Sequence, residues 1–119
     1  MRVKEAIKRA DALRPNAIDE GRKADWVYEL EGRLNQIRRA PGLPAVPPPP
    51  RVWPADSALA MPPPYDMVYE RYLCAMIDLA NEDTGLYAND MALFESTYAA
   101  AIAWWRRGHC PEQAGKWKL

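Results

Sequence analysis

A chain of 119 residues, 49% of them hydrophobic, is the size of one domain with a modest core of its own. Its sixteen basic and sixteen acidic side chains cancel, so no global field steers it toward nucleic acid or a membrane surface. No apolar run approaches the ~20 residues of a membrane span, the opening MRVKEAIKRADALR lacks the apolar stretch of a signal peptide, and two cysteines make no disulfide framework, which fits a reducing compartment.

Taken in order, the first helix spans Val3 to Leu13. Val3, Ala6, Ile7, Ala10 and Leu13 recur at steps of three and four and form its apolar stripe. It ends at Arg14-Pro15-Asn16, because proline disfavours a helical conformation in the residue before it. The second helix runs from about Asp19 to about Arg38, with Ala24, Val27, Leu30, Leu34 and Ile37 as its stripe and Trp26 beside them. Gly32 inside it costs about 1 kcal/mol relative to alanine. It is either a point of close helix packing or a tolerated defect.

Residues 40–63 hold most of the twelve prolines, and Pro47 to Pro50 form a polyproline II run. This is a stiff connector between two helical hairpins, in preference to a ligand for an SH3-like or WW-like partner. Val52-Trp53 and Leu59 to Met61 are short extended pieces suited to pairing with a neighbouring subunit.

The third helix starts at Pro64 or Tyr65 and extends to about Tyr87, because Ala80, Thr84, Tyr87 and Ala88 prolong the stripe of Val68, Tyr69, Tyr72, Leu73, Met76 and Ile77. Asn89 or Asp90 caps a fourth helix that runs to Arg107, with Met91, Phe94, Tyr98, Ala101, Ile102 and Trp105 on one face. Gly108 is placed to end it, and residues 108–119 form a polar, extended tail. The expected fold is all-α: a single domain over 1–119 with about four helices, arranged as two hairpins (1–39 and 64–107) joined by the proline-rich loop.

Chemistry is sparse. His109 and Cys110 are adjacent, which is not zinc-ligand spacing. Cys74, among Leu73, Met76 and Ile77, reads as a small buried apolar residue rather than a nucleophile. Asp78, Glu82 and Asp83 read as one solvated acidic face. There is no P-loop, dinucleotide fingerprint or nucleophile elbow. No catalytic, cofactor or metal residues are expected.

Residues 63–70 (PPYDMVYE), 73–78 (LCAMID) and 89–94 (NDMALF), with Tyr98, form a pattern recurrent in small prophage proteins. Val3-Lys4-Glu5, Arg14-Pro15-Asn16-Ala17 and residues 26–32 (WVYELEG) extend it to the front of the chain. In this order the segments resemble the head-tail connector, or adaptor, proteins of tailed bacteriophages, over most of the chain outside residues 40–58. Two departures stand out: Ile18 occupies a position where a capping serine is expected, and the proline-rich insert is longer than the pattern suggests.

The resemblance implies a structural virion protein rather than an enzyme. Such connectors form a ring, usually dodecameric, between the portal protein and a tail-side neck or tail-completion protein. They extend the channel through which DNA passes without sequence-specific binding. That places the chain at the head-tail joint of a virion assembled in a bacterial cytoplasm, with no membrane partner. Lys116, Trp117, Lys118 and Leu119 of the tail are then the expected portal contacts, with Trp117 as an aromatic anchor. Trp53, Leu59, Met61 and Trp104 are the expected contacts to a neighbouring subunit or partner. The alternative is a helical adaptor or regulatory protein that meets a proline-reading partner through Pro47 to Pro50.

Overall fold

The computed structural model describes residues 1–38, 53, 54 and 56–109. They form four helices, α1 (Val3–Leu13), α2 (Glu20–Arg38), α3 (Met67–Ala80) and α4 (Thr84–His109). The fold is an all-α bundle, and the described residues contain no strand beyond one isolated antiparallel bridge between Arg2 and Ala58.

α1 lies where its stripe predicts. Val3, Ala6, Ile7 and Ala10 are buried against α3, while Leu13 is exposed at the end of the helix. Arg2, the N-cap, offers no side-chain cap of its own. Asp56, far along the chain, supplies one: its Oδ1 accepts the Lys4 N–H at 2.9 Å. The segment around it runs antiparallel to the first residues, with Val3 N–H donating to Ser57 O and Leu59 N–H donating to Met1 O. The extended piece expected to pair with a neighbour therefore pairs with its own chain.

A polar knot fastens α1 to α2. Lys23 is almost wholly buried and bonds Asp11 Oδ1 at 2.8 Å and Asn16 Oδ1 at 3.1 Å. Asn16 Nδ2 reaches back to Asp11 and to the Arg14 carbonyl. Burying an ammonium costs several kcal/mol unless it is paired, so these acceptors are what allow α2 to dock here. Asp19 Oδ2 accepts the Gly21 N–H at 3.0 Å and opens α2, so Ile18 has no capping duty. A Cβ on Gly21 would lie 2.9 Å from Asp19 Oδ2 and 3.5 Å from the Trp53 ring, which is why glycine fits there. A Cβ on Gly32 would meet nothing, so that glycine marks no close packing.

Ala24, Val27, Leu30 and Leu34 of α2 are fully buried. Glu31 is buried beside them at 2% exposure. Its Oε2 accepts the Ala60 N–H at 2.8 Å, and its Oε1 accepts the Tyr69 hydroxyl at 2.7 Å. Tyr69 Oη in turn accepts the Met61 N–H at 3.0 Å. This chain of bonds fixes the point where the backbone re-enters the bundle before α3.

The third helix is shorter at both ends than its stripe predicts. Residues 63–66 form a tight turn in which the Tyr65 and Asp66 N–H groups both donate to Pro62 O, and α3 starts at Met67. At the other end α3 stops at Ala80. Asn81 N–H donates to Ile77 O and Asp83 N–H to Asp78 O, while Glu82 turns the backbone at φ 60°. Asp83 Oδ1 then accepts the Leu86 N–H at 3.1 Å, so Asp83 caps α4 where Asn89 or Asp90 was expected. Gly85 falls in the first turn of α4, and the helix runs on to His109, past the expected end at Arg107.

α3 and α4 pack antiparallel. Leu73, Ile77 and Phe94 are buried between them as expected, and Met76, Tyr98 and Ile102 are half-buried at the margin. The Phe94 ring sits 5.0 Å from Tyr72 and 5.4 Å from Tyr98, with the Arg33 guanidinium over Tyr98 at 5.2 Å.

Candidate interaction surface

Of the expected subunit contacts, Trp53, Leu59 and Met61 follow the returning segment and Trp104 lies near the carboxyl end of α4, all four within or against one core cluster. Met61 is 3% exposed and belongs to the subunit's own core. Leu59 and Trp53 are half-buried and lean on that core. Trp53 also walls an open cleft of about 290 Å³ shared with Lys4, Ile7, Lys8, Asp11 and Glu20. Trp104 stacks on Tyr65, centroids 5.0 Å apart and planes at 24°, with Trp105 edge-on at 6.3 Å. The portal contacts Lys116, Trp117, Lys118 and Leu119, and the Pro47 to Pro50 run, lie outside the described residues.

A surface that sequence reasoning missed lies on α4. Its outward positions include Leu86, Ala92, Leu93, Ala99, Ala100 and Ala103, with Leu93 at 50% exposure. From Thr84 to Trp105 the only exposed charged side chain is Glu95, since Asp90 points inward. Small side chains on such a face let another backbone approach closely. The signal was present as two leucines seven residues apart, out of phase with the stripe of Phe94 and Tyr98. In the last turn of α4 the face changes character at Arg106 and Arg107, both exposed.

Burial shifts several titratable groups of the interior. Burial, and then the charge of Asp90, push the Cys74 thiol up to about 11, against the opposing pull of Arg14. A thiol so placed is a poor nucleophile. Tyr72 is raised as well, by burial and by Glu29. The acidic cluster read as one solvated face is divided: Glu82 and Asp83 are exposed, but Asp78 is buried against Arg14 and Asp90. Among the described residues no group of three or more His, Cys, Asp or Glu side chains is placed to hold a metal ion. None of their helices is long and apolar enough to cross a membrane.

No known protein family, curated protein or solved structure matches the chain.

Proposed function

We propose that this chain is a structural connector of the head-tail joint of a tailed bacteriophage, assembling as a ring between the portal and a tail-side neck or tail-completion protein. The observation that carries the reading is the outward face of α4, long and nearly free of charge on a helix that the bundle packs from one side only. A closed head-to-tail ring needs two different complementary patches on each subunit. The α4 face serves as one, and the cleft between α1 and Trp53 serves as the other. The sequence motifs support the same reading: Arg14-Pro15-Asn16 makes the α1–α2 corner, residues 26–32 lie on α2, and residues 63–78 form the turn and body of α3. In this role the protein is scaffolding rather than catalyst, and DNA passes through the ring without being read.

The test mixes the purified full-length chain with its portal ring and images the product by electron microscopy. A closed ring of this chain seated on the portal is expected. Leu93→Glu should fold like the parent, since an exposed substitution changes stability by only about 0.5 kcal/mol, yet fail to close the ring. A chain that never joins the portal overturns the proposal. Capture by a purified SH3 or WW domain through Pro47 to Pro50 would assign it to the adaptor class instead.

A further inference from the structure

The end of the α3–α4 hairpin holds more buried acid than its one cation balances. Asp78 of α3 is 2% exposed and Asp90 of α4 is 8% exposed. Arg14, just past α1, serves both. Its Nε lies 3.1 Å from Asp78 Oδ1, and it grips Asp90 through Nε at 3.0 Å and Nη2 at 2.9 Å. Asp78 Oδ2 is buried without a hydrogen-bond partner, while Asp78 Oδ1 and Asp90 Oδ2 lie against the same Arg14 Nε, at 3.1 Å and 3.0 Å. Two carboxylates sharing one site escape mutual repulsion when one of them carries a proton. Oδ2 is the atom left to carry it.

We propose that Asp78 and Asp90 hold a single proton between them and that its loss loosens the α3–α4 turn, making this end of the hairpin a proton-operated latch. With the proton in place, Arg14 balances Asp90 and the cluster is neutral. Without it, a net negative charge sits at the buried Asp78 carboxylate. Among the described residues the surrounding groups offer no second cation: Cys74 lies one turn back on α3, Asp83 adds repulsion from the turn, and Lys23 of α2 is committed to Asp11 and Asn16. The strain is relieved where the chain yields most easily. That place is the turn, where Glu82 holds a left-handed backbone conformation and Asp83 N–H is tied to Asp78's own carbonyl.

Burial first, then the bond and charge of Asp90, raise Asp78 from 3.8 to about 7, with Arg14 opposing. A carboxyl that binds its proton more tightly when folded stabilises the fold fully below its ordinary range and loses that contribution as pH rises through the folded value. The latch therefore closes on the acid side of neutrality and weakens above it. It is independent of the connector role.

The experiment follows denaturation midpoint and amide-exchange protection in the full-length protein between about pH 5 and about pH 8, beside Asp78→Asn. The wild type should lose stability as pH rises, its unfolding constant growing by up to about tenfold per pH unit. Protection should fall at Asn81, Asp83 and Tyr87, whose N–H groups hold the turn. Asp78→Asn, able to donate to Asp90 at every pH, should flatten both trends. A wild type with no change in this window overturns the proposal, and so does an Asn variant that keeps the full slope. If Asp78→Asn does not fold, Asp90→Asn is used, and the same two outcomes decide.

Discussion

The hydroxyl of Tyr69 donates to Glu31 Oε1 at 2.7 Å in the interior of the bundle. The bond joins α2 to α3, and it stands in the middle of a short relay. Met61 N–H donates to the same hydroxyl, and Ala60 N–H donates to the other carboxylate oxygen of Glu31. Two backbone donors of a segment with no helix or sheet to satisfy them are thus paired, that of Met61 in the buried interior and that of Ala60 at its edge.

Tyr69→Phe removes the hydroxyl and leaves the Met61 N–H and a Glu31 oxygen buried without it. The expected cost is about 1–3 kcal/mol. Chemical denaturation should show it as a lowered midpoint with an unchanged slope. A neutral result would mean that water replaces the hydroxyl.

Phe94→Ala tests the packing of α3 on α4. The ring is buried between Tyr72 and Tyr98 and roofed by Arg33. Its loss should cost about 3–5 kcal/mol. An unaltered thermal midpoint would show that the hairpin is held through another face.

Gly32→Ala should act in the opposite direction. The position is inside α2 and open around the missing Cβ. Alanine restricts the unfolded chain and improves helix propensity, for a gain of about 1 kcal/mol. A loss of stability would reveal a contact made only in an assembly or by residues outside the bundle core.

What the sequence disclosed, and what it hid, follows from the range of the interactions involved. α1 was legible to the residue because its stripe and Pro15 are local signals. The break between α3 and α4 was not. Ala80, Thr84 and Tyr87 keep the helical phase across it, while the signals that end one helix and begin the next are a backbone turn at Glu82 and the Asp83 side chain. Lys23, Glu31 and Asp78 were read through their charge as surface residues, or passed over. Their burial depends on partners brought in by the fold: Asp11 and Asn16, Ala60 and Tyr69, Arg14 and Asp90. Met61, one of the expected contact residues, turned inward for a related reason. Aromatic and apolar side chains on a loop look alike in sequence whether they face a partner or, like Met61, the chain's own core.

The bonds at Ser57 and Leu59 tie residues more than fifty positions along the chain to Val3 and Met1. Closing a loop costs entropy that grows with the logarithm of its length, whereas α3 and α4 meet across three residues. The α3–α4 hairpin is therefore a local product of its own stretch of chain, and the clasp on α1 can close only once the chain has been synthesised past Leu59.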